Sequence, residues 1–105
     1  MKILFQLSNS NNDKKLYMVK FINPKTGKIN TIHFGSYGSS QYPTHKNDTI
    51  KENYIKRHYK NEDWTEDGIY NAGWWARFLL WNKKTIEDSI KDIEKQFNIR
   101  IITDL

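Results

Sequence analysis

The first third of the chain alternates apolar and polar residues with the period of two that is typical of β-strands. Ile3–Ser8 is a short apolar stretch, Leu16–Ile22 is rich in β-branched and aromatic residues, and Lys28–Phe34 repeats that pattern. Between the last two lies the segment Asn23–Gly27, with a proline that presets φ and a glycine that tolerates positive φ. The pattern predicts three N-terminal strands, the last two of which form an antiparallel hairpin with a bulge.

Apolar residues recur at helical spacing in the stretch that follows the strands. The segment Thr49–Glu52 has the spacing of a capping box, in which a hydroxyl and a carboxylate satisfy free backbone N–H groups at a helix start. This predicts a helix that begins near Thr49, preceded by an aperiodic loop at Gly35–Thr44. The expected apolar face of the helix consists of Ile50, Tyr54, Ile55, His58 and Tyr59.

Three of the four tryptophans lie in the stretch NAGWWARFLLW, Asn71–Trp81. A helix formed by this stretch is apolar nearly all round, and such helices are either buried on most sides or part of an interface. Core packing is the favoured interpretation, because a single cation, Arg77, accompanies these rings, whereas base-stacking platforms interleave aromatic and cationic residues. The alternative is a subunit or partner interface formed by Trp74, Trp75, Phe78 and Trp81.

The last part of the chain contains the clearest amphipathic helix. After an acidic loop at Asn61–Gly68, anchored by Trp64, the segment Thr85–Asp88 resembles a second capping box. Apolar residues then recur at helical spacing, and Ile99–Ile102 is expected to add an edge or closing strand. Strands followed by about three helices and a short terminal strand predict an α+β fold with a mainly antiparallel sheet, formed by one domain over residues 1–105. The apolar face of this last helix comprises Ile86, Ile90, Ile93 and Phe97.

Positive charge is concentrated in the first sixty residues. The chain has a net charge of +5, but residues 1–60 contain eleven Lys or Arg against three Asp or Glu, whereas residues 61–105 contain six against nine. This asymmetry favours a basic face that contacts phosphate groups, and a solvated surface is the alternative. The residues expected to bind nucleic acid are Lys20, Lys25, Lys28, Lys46, Lys51, Lys56, Arg57 and Lys60.

Several kinds of chemistry are not expected from the residue types present. The chain has no cysteine, which excludes disulfides, thiolate nucleophiles and Cys-based zinc sites. The histidines His33, His45 and His58 lack metal-ligand spacing, so no metal and no cofactor is expected, and no small-molecule substrate is identified. An enzyme would require the three histidines, or His58 with Glu62, to converge in a pocket. The segment GSYGSS could form an anion nest but lacks the P-loop ending, and a plain loop is favoured.

The N-terminal apolar run is about four residues long, shorter than the roughly 7–15 residues of a signal-peptide core. It is also shorter than the roughly 20 residues of a membrane span. We therefore expect a protein that is not secreted and has no membrane partner.

The stretches TIHFGSYGSSQYPTHKND, YIKRHYKNEDW and AGWWARFLLWNKKTIEDSI, in that order, resemble a family of small proteins encoded by large and giant DNA viruses. The resemblance covers Thr31–Ile90 and brings no established activity with it. It implies a viral source, a location in the virion or in the cytoplasm or nucleus of an infected cell, and a virion-packaged or genome-associated role. Together with the charge asymmetry, it leads us to expect a non-enzymatic protein that binds nucleic acid without sequence specificity. The alternative is a structural or interaction module, such as a homodimer formed through the tryptophan-rich stretch.

Overall fold

The computed structural model describes residues 3–36 and 41–105, and these residues form a four-stranded sheet with helices on one face. Strand order across the sheet is β3-β2-β1-β4; β1 is antiparallel to β2, β2 is antiparallel to β3, and β4 is parallel to β1. The α+β prediction is confirmed, including the terminal strand at an edge of the sheet. The sheet is mixed because the helical segments carry the chain from the end of β3 back to the end of the sheet at which β1 begins. β4 therefore runs parallel to β1. The strands are β1 (Ile3–Asn9), β2 (Lys15–Ile22), β3 (Ile29–Ser36) and β4 (Ile99–Asp104).

Between β3 and β4 the described chain is largely helical. The tryptophan-rich helix, residues 72–80, begins as α3 and continues without a break as a π-helical turn. A 3₁₀ turn precedes it at the end of the acidic loop. Within residues 3–36 and 41–105, no helix has the length and apolar character needed to cross a membrane. The helical segments are α1 (Tyr42–His45), α2 (Asp48–His58), the 3₁₀ turn (Glu66–Tyr70), α3 (Ala72–Trp75), the π turn (Ala76–Leu80) and α4 (Ile86–Gln96).

The hairpin between β2 and β3 closes as the sequence predicts. The Gly27 N–H donates to the carbonyl of Asn23 at 2.8 Å, and Gly27 adopts a φ of 71°. This left-handed conformation is accessible to glycine at no steric cost, so the turn residue and the turn geometry agree.

The start of α2 differs from the predicted capping box. The N-cap residue is Asn47, whose extended backbone places its side-chain oxygen to accept from the N–H groups of Thr49 and Ile50. Asn is among the most strongly preferred N-cap residues, ahead of Thr, and α2 therefore begins after Asn47 rather than after Thr49. The predicted apolar face is also only partly correct. Tyr54 is buried and Ile55 is partly buried, but Ile50 and Tyr59 are exposed.

The predicted start and apolar face of α4 are correct. The Thr85 hydroxyl accepts from the Asp88 N–H at 3.1 Å, as expected for an N-cap. Ile93 is fully buried beneath the helix, and the other predicted apolar residues pack around the core at its border.

The hydrophobic core lies between the sheet and the helices. The rings of Phe5 and Phe21 from the sheet lie 4.7 Å apart, and Phe5 is 5.0 Å from Trp75 of the tryptophan-rich helix. The indole N–H of Trp75 donates to the carbonyl of Ile69 at 2.8 Å, which satisfies a polar group that is fully buried. Each of these rings removes roughly 150–250 Å² from water, so the aromatic layer supplies much of the apolar burial.

The other face of the sheet, which we call the open face, carries the alternate residues of each strand. Inward residues such as Val19 and Phe21 are buried, whereas their neighbour Lys20 is exposed, as the alternation of side chains along a strand requires. The open face consists of Leu4, Gln6, Ser8, Met18, Lys20, Ile22, Ile29, Thr31, His33, Arg100, Ile102 and Asp104.

Candidate functional site

A cleft of about 520 Å³ lies between α2, the adjoining ends of β2 and β3, and the tryptophan-rich helix; we call it the α2 cleft. Its volume falls within the range of roughly 300–1,000 Å³ that is usual for ligand sites. The residues that line it include Lys15, Phe34, Tyr54, Arg57, His58 and Glu62.

Two cations from distant parts of the sequence meet at this cleft. Lys15 comes from the first residue of β2 and Arg57 from the last turn of α2, and both side chains are exposed. His58 and Glu62 line the same cleft one helical turn apart, with His58 Nδ1 at 3.9 Å from Glu62 Oε1. The cleft therefore combines two cationic side chains with a His–Glu pair in a lining of mixed polar and apolar residues.

Small residues make room for the acidic side of the cleft. A β-carbon at Gly73 would overlap the carboxylate of Glu62, so the missing side chain lets this carboxylate lie against the first turn of α3. Gly35, on the β3 side, adopts a φ of 78°, and a β-carbon there would come within 2.9 Å of Leu80 Cδ1. These glycines let the walls approach each other closely.

An aromatic stack holds α2 in place behind the cleft. The ring of Tyr54 is parallel to that of Trp81, with centroids 4.4 Å apart, and the ring of His58 lies 4.3 Å from Tyr54 on α2. Burial raises the pKa of Tyr54 to about 12, so the phenol is neutral at physiological pH. The stack orients the last turn of α2, which carries Arg57.

Lys51, one of the predicted nucleic-acid contacts, is hydrogen-bonded within the protein. Its ammonium donates to the carbonyl of Asn82 at 2.5 Å, and Arg77 donates to the carbonyl of Trp81 at 2.8 Å. Both carbonyls lie just beyond the tryptophan-rich helix, where cations are favoured by the helix dipole. Burial lowers the pKa of both Lys51 and Arg77, which is the expected cost of desolvating a cation.

The remaining predicted cations do not share one surface. Lys56, Arg57 and Lys60 lie together at the C-terminal end of α2, and Lys46 lies before its N-terminus. Lys25 and Lys28 lie in the β2–β3 turn, separated from the α2 cleft by the length of β2, about 23 Å at 3.3 Å per residue. Lys20 points to the open face, away from α2. Lys15, which the sequence reasoning missed, joins the α2 group through strand pairing that no local pattern reveals.

The residues proposed for an interface are covered by the protein's own chain. Trp74 and Trp75 are fully buried, Trp81 is 8% exposed and Phe78 is partly buried. Trp74 packs 4.7 Å from Phe78 and 5.0 Å from Phe97 of the region after α4. These side chains are packed in the core, which is the interpretation that the sequence favoured. Trp74 and Trp75 have no indole surface exposed to a partner.

The histidines occupy separate environments. His33 is on the open face, where Ser10 Oγ lies 2.8 Å from its Nδ1, and His45 packs 5.3 Å from the Trp81 ring. Only the second arrangement considered for an enzyme, His58 with Glu62, is brought together. No cluster of three or more His, Asp or Glu side chains suited to a metal ion occurs in the described part of the chain. Of the GSYGSS segment, Gly35 and Ser36 end β3, and residues 37–40 lie outside the described residues.

Comparison with known proteins identifies a family but no characterised relative. No curated protein and no solved structure matches this chain. A family model matches residues 5–58, a segment that begins within β1, contains β2 and β3, and ends with α2 and its basic last turn. Because that match spans half of the 105 residues, the chain belongs to the family of unknown function DUF5754.

Proposed function

We propose that this protein binds nucleic acid through its phosphate backbone, without sequence specificity, at the C-terminal end of α2 and the α2 cleft. The cations assigned to this surface are Lys15, Lys56, Arg57 and Lys60. The proposal narrows the contact from the whole basic half of the chain to one end of the molecule.

The observation that carries the proposal is that Arg57 and Lys15, far apart in the sequence, line the same cleft, and that Lys56 and Lys60 are exposed in and just after the last turn of α2. None of these four side chains forms an ion pair with a carboxylate within 4 Å among the described residues. Exposed cations without carboxylate partners can exchange their counterions for phosphates, and the release of those counterions drives binding.

The same charges also have a structural use, which the experiment must separate from binding. Lys56 and Arg57 lie in the last turn of α2 and Asp48 in its first turn, the order that the helix dipole favours. Each such charge stabilises a helix by roughly 0.3–1 kcal/mol, which is too little to unfold the domain when one is removed.

The test is fluorescence anisotropy with labelled single-stranded and duplex oligonucleotides at about 50 and 200 mM salt, the range over which phosphate contacts lose most affinity. The variant K56A/R57A/K60A removes three cations from the proposed surface. We expect it to lower affinity at low salt at least tenfold and to reduce the slope of log K against log salt for the duplex by about 2–3.

The matched control is K20A/K25A/K28A, which removes the same charge from the open face and the distant hairpin turn. It should leave the affinity within about threefold of the unsubstituted protein, because these lysines lie away from the α2 surface. Absence of binding at low salt would refute the proposal. Equal losses in the two variants would show a response to net charge alone and refute the assigned surface.

The motifs that resemble proteins of large DNA viruses give this proposal its setting. We propose a virion- or genome-associated role in which a small basic protein neutralises phosphate.

A further inference from the structure

The open face carries large aliphatic side chains that the core does not use. Leu4 is 49% exposed, Ile22 63%, Ile29 72% and Ile102 46%. An antiparallel sheet with one solvated face ordinarily alternates apolar residues inward with polar residues outward, and these four depart from that pattern. Single exposed aliphatic residues need no explanation, but a contiguous group marks an interaction surface.

Strand register makes the group contiguous. Ile22 is paired with Ile29 across β2 and β3, and Gln6 is paired with both Lys20 and Ile102. Leu4 is paired with Arg100 and, one pleat beyond the Gln6–Lys20 pair, lies beside Ile22. The open face thus has two adjacent rows, Ile29-Ile22-Leu4-Arg100 and Thr31-Lys20-Gln6-Ile102.

A groove of about 770 Å³ lies over the part of these rows formed by β1, β2 and the start of β3, at the hairpin end of the sheet. Its apolar lining is formed by Leu4, Ile22 and Ile29 of the open face, by Pro24 of the turn, and by Ile3 and Phe21. The surface is therefore concave as well as apolar, the shape that accepts a side-chain ridge from another molecule.

Every charge in the two rows is positive. Lys20 lies in the middle of the second row, Arg100 ends the first, and Lys28 immediately precedes Ile29 in the turn. Neither row contains an Asp or a Glu, and Asp104 lies one row further along β4. An apolar strip bordered by cations is complementary to an apolar stripe bordered by carboxylates.

We propose that the open face is a docking surface for an acidic amphipathic helix of a partner protein. Three strand spacings separate β3 from β4, about 14 Å, which a helix spans with about ten residues. A helix is the element that ordinarily covers the free face of a sheet. A two-fold contact with a second copy fits less well, because it would set these cations against their own equivalents. This surface lies opposite the α2 cleft, so the proposal does not depend on nucleic-acid binding.

The test titrates the ¹⁵N-labelled full chain with two synthetic helical peptides that share one leucine stripe. One peptide is flanked by glutamates and the other by lysines. The glutamate peptide should shift the amide resonances of the two rows and bind at least tenfold more tightly than the lysine peptide. The variant I22T/I29T should weaken its binding at least tenfold. The control I50T, which alters an exposed isoleucine on α2, should bind as the unsubstituted protein does.

The alternatives give distinct results. Equal binding of both peptides, or shifts that lie away from the two rows, would overturn the proposal. A concentration-dependent dimer in sedimentation that I22T/I29T abolishes would assign the face to a second copy. Binding to phosphatidylserine vesicles that the same substitutions abolish would assign it to a lipid surface. Either of the last two results would also overturn the proposal of an acidic helix.

Discussion

The covered face and the open face of the sheet are formed by alternate residues of the same four strands, but they differ in what they bury. On the covered face Phe5 and Phe34 pack against Trp75 of the tryptophan-rich helix, and Phe21 packs against Phe5; all are nearly or fully inaccessible. On the open face Met18 is buried, but Leu4, Ile22, Ile29 and Ile102 are between 46% and 72% exposed, with cations among them. The comparison shows that apolar character alone does not identify core residues in this sheet, because both faces have it.

The largest loss of folding stability is expected from a substitution on the covered face. Trp75→Ala should lower the free energy of unfolding by about 3–5 kcal/mol, since it opens a cavity in a core that cannot fully collapse around it. It also leaves the carbonyl of Ile69 without its indole donor. The measurement is denaturation in urea, followed by circular dichroism.

Trp75→Phe is the control, because it keeps a ring in the same place and should cost clearly less. A loss below about 1 kcal/mol for Trp75→Ala would mean that the covered face is not the main source of stability.

An intermediate effect is expected from Tyr54, which packs on Trp81 on the covered side. Its pKa is raised from 10 to about 12 by burial, so the folded protein holds this proton more tightly than the unfolded chain. The stabilisation is complete below pH 10 and is lost as the pH rises from 10 to 12, by up to about 2–3 kcal/mol. Absorbance near 295 nm should show the late titration.

The variant Tyr54→Phe should lose this titration and the associated part of the alkaline destabilisation. If the stability of the two proteins falls in parallel between pH 10 and 12, Tyr54 is not held in the neutral form by the fold.

The smallest change in folding stability is expected from a substitution on the open face. Ile29→Thr should change the free energy of unfolding by no more than about 0.5 kcal/mol, because the side chain is already mostly in water and threonine keeps its β-branching. Urea denaturation of Ile29→Thr and Trp75→Ala under the same conditions would compare the two losses of stability directly. A loss above about 1.5 kcal/mol would place Ile29 in the core and remove the distinction between the two faces.

Local signals in the sequence predict well where one residue type dictates the backbone. Gly27 closes the hairpin with the positive φ that its sequence context predicts, and Thr85 caps α4 with its hydroxyl. Both the turn and the cap involve residues within a few positions of each other, so the local sequence is enough to predict them.

Local signals fail where two residues compete or where exposure depends on distant contacts. Asn47 and Thr49 are both good N-cap residues, and in the structure it is Asn47 that caps α2. Ile50 and Tyr59 have the periodicity of a core face, but the helix packs through Tyr54 and leaves them in water. Periodicity defines a direction on a helix, whereas burial depends on what lies in that direction.

The sequence by itself determined the strands, the hairpin, the amphipathic last helix and the excess of cations in the first sixty residues, because periodicity, turn chemistry and charge are local properties. Only the tertiary structure decided which cations lie near one another: it places Lys15 and Arg57 in one cleft, turns Lys51 inward to a backbone carbonyl and separates Lys20, Lys25 and Lys28 from α2. Sheet pairing and helix packing set these distances, and both join residues far apart in the chain.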